Sequence, residues 1–219
     1  MRMLTSSIVA ACLTLSLISC GGGGSSSSPQ TLTTSIVSDS AFDGDIEQTS
    51  PSSFTITQGM SPAVQSLFAG VDPVTLNEFR TFLDFPLGGA RGVPSNAIID
   101  SAYLEIVIDS IQPISATIPI LIELVAFQPP TLLSTDFDRS LQPPLAYTRI
   151  RPPISPVDVG HNIVIDVTSL MEEAQFRGLT DFQVRILEDF GTSPGLIEIN
   201  DMTGINRPSL APLLTVTYH

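Results

Sequence analysis

From about residue 31 onward, apolar side chains recur at every second position, the period of a strand with one buried face. In Ser101–Asp109, Ala102, Leu104, Ile106 and Ile108 point one way, while Tyr103, Glu105 and Asp109 point the other. Ile163, Ile165 and Val167 alternate with Asn162, Val164 and Asp166, and Phe182, Val184 and Ile186 alternate with Gln183, Arg185 and Leu187. Residues 118–127 are apolar on both faces with Glu123 the only charge, which predicts a central strand. Further strands are predicted at 41–46, 54–58, 78–85, 196–200 and 213–218. Many short strands separated by Pro/Gly-rich turns describe an all-β sandwich or barrel.

One segment breaks the two-residue period. Ser169 to Glu172 fits a helix capping box, Leu170, Met171 and Ala174 form an apolar stripe, and Gly178 supplies a stop. Residues 142–158 carry Pro143, Pro144, Pro152, Pro153 and Pro156, which excludes a central strand there and favours a stiff, extended loop.

The first thirty residues follow a different rule. Arg2 precedes an apolar stretch, Ile8 to Ile18, shorter than the roughly 20 apolar residues a bilayer requires. The stretch ends in Leu17-Ile18-Ser19-Cys20, which resembles the lipobox of bacterial lipoproteins. The resemblance implies cleavage before Cys20, removal of residues 1–19 and a lipid on Cys20, making the bilayer a partner through that anchor. An ordinary secreted protein cleaved nearby is the alternative. Residues 20–30 form a Gly/Ser tether and 31–219 the folded domain. Gly21 stands where an Asp commonly marks inner-membrane retention in Gram-negative lipoproteins, so the resemblance implies the outer membrane.

Composition narrows the chemistry. Twenty-two Asp and Glu face nine Arg and no Lys, a net charge of −13 that disfavours nucleic acid and other polyanions. The two cysteines, Cys12 and Cys20, both precede the folded domain, which leaves it without a disulfide or thiolate metal site. The two histidines, His161 and His219, are too few for a multi-histidine centre. No G-x-S-x-G elbow is present, and no constellation of acid, base and nucleophile is recognisable, so an enzyme is not expected.

Four internal segments and the chain end resemble the DNRLRE-domain family. They are Ser40–Ile46, Phe79–Phe85, Ile98–Ile106 and Ile165–Leu170, followed by Glu198–Asn200, Arg207-Pro208-Ser209-Leu210 and Leu214–Tyr218. The resemblance covers about residues 40–219. It implies a jelly-roll-like antiparallel β-sandwich with one short helix and a binding or surface-structural role, carbohydrate-binding modules being among the relatives. The chain departs from the pattern at Ala174, where the family helix often carries tryptophan, and at Ala211-Pro212, inserted before the last strand.

Three groups of residues are candidates for function. Asp43 and Asp45 flank Gly44, with Asp39 and Glu47 nearby, a concentration of carboxylates suited to calcium or to a solvated acidic edge. Tyr147, Arg149 and Arg151 form a local basic and aromatic cluster. Arg reads carboxylates bidentately and Tyr stacks on a sugar ring, so the cluster suits a polysaccharide; a loop pinned by Arg–Asp pairs is the alternative. Arg80 and Asp84 lie on one face of a strand and are expected to pack as buried anchors or ion-pair partners. With no tryptophan and three tyrosines, a flat aromatic platform is not expected. The expectation is a lipid-anchored, non-catalytic module for extracellular or envelope polysaccharide, or a surface-structural component that contacts envelope proteins.

Overall fold

A computed structural model of the protein describes residues 30–59, 65–128, 131–189 and 194–219. The apolar leader, Cys20 and the Gly/Ser run lie outside them. Among the described residues the chain forms twelve strands. They are β1 (Leu32–Val37), β2 (Gly44–Ser50), β3 (Ser53–Gln58), β4 (Ser66–Val71), β5 (Glu78–Pro86), β6 (Ile99–Gln112), β7 (Ile120–Val125), β8 (Ala146–Arg149), β9 (Asn162–Asp166), β10 (Asp181–Glu188), β11 (Leu196–Asn200) and β12 (Leu213–Tyr218). All ladders between them are antiparallel. The expected all-β, sandwich-like architecture is present.

The long strand β6 joins two layers. Its first half pairs with β12 and β9, and β12 pairs onward with β1, giving one layer. Its second half pairs with β11, which leads through β4 to β5, β10, β7 and β8 in the other layer. Hairpin β2–β3 adds to the free edge of β5. Between the layers lies one apolar cluster that includes Leu104, Ile106, Leu214 and Val216 from the first layer and Leu83, Ile122, Val184 and Ile186 from the second. Leu104, Ile106, Val184 and Ile186 are positions that the two-residue alternation predicts to face inward.

The outer face of the second layer is also covered, which the alternation does not predict. The described residues between β7 and β8 fold back across it as a strap carrying a four-residue helix, α1 (Ser134–Phe137). Phe127, Leu132 and Phe137 of the strap pack on Ile46, Phe82 and Val125. Arg80, Glu123 and Arg185, all pointing outward from their strands, are consequently buried. Arg185 donates to Asp136 O at 2.7 Å and Gln142 O at 3.0 Å, and the Arg80 guanidinium lies 3.9 Å from the centre of the Phe137 ring. The strap is thus held by both apolar burial and buried cations that satisfy its carbonyls.

Helix α2 (Thr168–Phe176) buries Leu170, Met171 and Ala174 against the core and ends before Gly178 at φ +65°. Its start differs from the expected capping box at Ser169. The N-cap is Val167, without a side-chain cap, and the Asp166 carboxylate accepts from the Thr168 amide at 2.9 Å. The aspartate that ends β9 therefore does the work a cap serine would do. Helices α1 and α3 (Arg207–Leu210) add to the single helix expected; each is one turn long, too short to show a helical period. The proline-rich segment is not wholly irregular. It contains β8, which among the described residues pairs with β7 alone and is thus an edge strand, in agreement with the exclusion of a central strand.

Candidate functional site

Strand β8 places Tyr147 and Arg149 on the outward face, opposite Glu123 and Leu121 of β7, while Ala146 packs inward. Arg151 follows two residues later and is exposed. Tyr147 and Arg149 are therefore brought to one side of the edge, and Arg151 lines the same clefts as Arg149. Tyr147 is 57 % exposed, and the Arg149 guanidinium sits 5.5 Å from its ring centre. Arg149 is also ion-paired with Asp189, which raises its pKa above the usual value, first through the hydrogen bond and then through the carboxylate's charge. The alternative of an Arg–Asp-pinned loop thus describes Arg149. It does not describe Arg151, which has no hydrogen bond or ion pair among the described residues.

Two clefts open on either side of residues 149–152. One of about 250 Å³ lies between β8 and β9 and includes Asp158 and Asp166 in its wall. The other, of about 380 Å³, is floored by Pro119, Ile120, Ile150, Pro152 and Pro153, with Arg149, Arg151 and Asp189 at its margin. Neither Asp189 nor the floor residues Pro119 and Ile120 were legible as site residues. They lie some 30 to 40 positions away from β8 and are brought in by the β7 and β10 ladders.

Asp43 and Asp45 are buried, with different partners. Asp43 accepts from the Asp84 amide at 2.9 Å and from Arg207 at 3.3 Å; Asp45 accepts from the Phe68 amide at 3.0 Å. Burial, and after it the charge of Asp201, pushes the Asp43 carboxyl well above the usual carboxylate range. Burial likewise raises Asp45 to about 6. Among the described residues no three carboxylate, histidine or cysteine side chains converge as metal ligands, whereas calcium wants six to eight oxygens. The reading of this corner as a solvated acidic edge does not hold: the β2–β5 pairing and the Arg207 helix enclose it.

Arg80 and Asp84 are both buried, as anchors. Arg80 pairs with Glu78 at 2.6 Å and donates to Phe137 O. Asp84 accepts from Gln183 Nε2 at 2.7 Å, and burial raises it to about 6. His161 is exposed, its ring Nδ1 3.0 Å from Val159 O. A larger cleft of about 530 Å³ lies between the 87–95 loop, the end of α2 and Tyr218, but its wall contains no ionisable side chain apart from Tyr218.

No helix among the described residues is long and apolar enough to cross a membrane. The chain matches no protein-family model, and no curated protein matches it.

Proposed function

We propose that this chain is a bacterial lipoprotein of the outer membrane, held by lipid on Cys20, whose DNRLRE-like sandwich is a non-catalytic polysaccharide-binding module. The contact surface is the β8 edge. One observation carries the reading: Tyr147 and Arg149 share the outward side of an edge strand, and Arg149 and Arg151 line a cleft on either hand. An exposed aromatic offers a face to a sugar ring, and adjacent guanidinium groups offer hydrogen bonds to its oxygens. Prolines 143, 144, 152 and 153 flank the strand, so the edge presents side chains to a ligand and resists pairing with another strand.

The test has two parts. Incorporation of a labelled fatty acid into the wild-type chain, lost in Cys20→Ser, checks the anchor. Retention on immobilised polysaccharides, lost in Tyr147→Ala with the melting temperature unchanged, checks the module. Absence of retention on every polysaccharide, with and without calcium, rules the binding reading out.

A second reading, a surface-structural component that contacts protein partners, has its own support. Among the described residues β3 pairs with β2 alone, and its sequence Ser-Phe-Thr-Ile-Thr-Gln has neither charge nor proline, leaving an unguarded edge. Crosslinking through a cysteine placed at exposed Thr55 would trap an envelope protein on this reading and nothing on the first.

A further inference from the structure

Exposed apolar side chains gather at the end of the sandwich where the chain enters it. Leu32 opens β1 and lies opposite Tyr218 of β12. Ile98 precedes β6 and exchanges two backbone hydrogen bonds with His219, at 2.9 and 3.0 Å. The 87–95 loop reaches the same end through Thr34, whose hydroxyl donates to Arg91 O at 2.7 Å. The loop also meets the end of α2, where Gln175 Nε2 donates to Pro94 O at 2.9 Å and Phe176 follows. Phe176 is 86 % exposed, Ile98 62 % and Leu32 48 %. Between the loop, α2 and Tyr218 opens the cleft of about 530 Å³, whose wall holds no carboxylate.

The charges at this end differ from those of the chain as a whole, which is acidic. Its carboxylates have partners: Asp100 lies 2.9 Å from His219 Nδ1, Asp181 accepts from the Thr180 hydroxyl at 2.7 Å, and Glu173 pairs with Arg177 at 2.6 Å. The Arg91 guanidinium has no hydrogen bond or ion pair among the described residues. Six of the eight arginines there are paired with carboxylates, so a bare cation is the exception. Exposed apolar side chains around an unpaired guanidinium suit a phospholipid surface. The former enter the boundary between headgroups and acyl chains, and the latter meets a phosphate.

The far end of the strands, about 30 Å away along the nine residues of β5, has exposed apolar side chains of its own in Val74, Leu76 and Ile114. The place of the anchor separates the two ends. Residues 20–29 can reach at most about 36 Å, and they join the domain beside Leu32. A lipid on Cys20 therefore holds the Leu32 end next to the bilayer. A patch too weak to bind as a free molecule then acts at an effective concentration of order millimolar.

We propose that the sandwich stands on the phospholipid surface through Leu32, Ile98, Phe176 and Arg91, a proposal that rests on the reading of Cys20 as lipidated. The anchor and the patch together fix the orientation of the domain, as two weak membrane signals acting in one molecule. The β8 edge, on the flank of the second layer, is left open.

The test uses the full chain, expressed with its leader, extracted in detergent and reconstituted in phosphatidylethanolamine–phosphatidylglycerol vesicles that contain a lipid with a nitroxide quencher on its acyl chain. A fluorophore is placed through Asn96→Cys, in the exposed turn before Ile98, or through Thr55→Cys, at the far end. The Asn96 label loses most of its emission and the Thr55 label keeps it. Ile98→Ser with Phe176→Ser restores the emission at Asn96 without a change in melting temperature, and Val74→Ser with Leu76→Ser does not. Equal emission from the two labels in protein that floats with the vesicles overturns the proposal and leaves the anchor intact. Quenching at Asn96 that survives Ile98→Ser with Phe176→Ser also overturns it. Wild-type protein that neither floats with the vesicles nor incorporates a labelled fatty acid overturns the lipoprotein reading and the docking with it.

Discussion

Arg185 and Glu123 stand directly opposite each other across the β10–β7 ladder, both fully buried, with Arg185 Nε and Nη2 donating to the same Glu123 oxygen at 2.8 and 2.6 Å. The other oxygen faces Arg139 Nη2 at 2.5 Å, outside hydrogen-bond geometry. Burial pulls the Arg185 pKa down, against the pull of the Glu123 charge, so the pair depends on both members being present. Glu123→Ala would leave Arg185 buried without its counter-charge and should cost about 3–5 kcal/mol. That corresponds to a fall of roughly 10 °C or more in melting temperature for a domain of this size. Replacing the pair together, Glu123→Leu with Arg185→Met, should recover part of the loss but not all, because Asp136 O and Gln142 O lose their donor. Urea titrations of the three proteins check the order.

The strap is the second place where one residue has a large effect. Phe137 touches Phe54 at 5.3 Å between ring centres, and its ring is covered by the Arg80 guanidinium. Phe137→Ala should cost about 3–5 kcal/mol through the cavity it leaves and open the strap to protease. Limited proteolysis should then cut first between residues 126 and 145. A wild-type pattern of cleavage would mean that the buried arginines hold the strap without the ring.

Stability should rise as pH falls from neutral toward about 4. Burial raises Asp45 and Asp84 from 3.8 to about 6, and it raises Asp43, Asp136, Asp201 and Glu188 in the same direction. Between their unfolded and folded values these groups bind more protons in the native state. Their contribution is therefore fully present below the unfolded value and lost as pH rises through the folded one. Asp72, Asp138 and Asp166, lowered by hydrogen bonds to nearby groups, act in the opposite sense and only at more acid pH. Asp45→Asn keeps an oxygen for the Phe68 amide and removes the buried charge, so it should raise stability above pH 6 by up to about 3 kcal/mol and have little effect at pH 4. Melting curves from pH 4 to 8 decide this; an Asn variant less stable at pH 7.5 would contradict it.

Two glycines with positive φ should differ sharply. Gly178 ends α2 at φ +65° with open space where a Cβ would stand, so Gly178→Ala should cost only the left-handed backbone, about 1 kcal/mol. Gly70 has φ +117°, and a Cβ there would lie 2.1 Å from Gly195 O, forcing β4 and β11 apart. Gly70→Ala should cost several times as much, measured by thermal melting of the two variants.

Much of the β architecture is visible in the chain because a strand with one wet face records its own burial. Strands β11 and β12 were predicted with the bounds they have, and in β6 the inward residues Ala102, Leu104, Ile106 and Ile108 are all fully buried. Strands β1, β4 and β8 were not predicted. Leu-Thr-Thr-Ser-Ile-Val and Ser-Leu-Phe-Ala-Gly-Val do not alternate cleanly, and β8 has four residues among prolines. The cluster Tyr147, Arg149 and Arg151 was legible from residue type alone, as a basic and aromatic group in a proline-rich segment; that two of its members stand on an edge strand was not.

What the sequence by itself determined is therefore local: which residues of the alternating strands face inward, where the chain cannot be central strand, and which segment carries an aromatic beside guanidinium groups. Tertiary structure decided what lies across from those residues. Arg185 reads as part of a wet face by its alternation and is buried because a segment some 50 positions earlier folds over it. Asp43 and Asp45 read as a carboxylate pair, yet their partners come from residues 68, 84 and 207. Periodicity reports the side on which a residue faces out from its own strand, and it carries no record of a strap or a distant strand that later covers that side. That information exists only once the chain has closed on itself, where burial of a charge costs so much that each one must meet a specific partner.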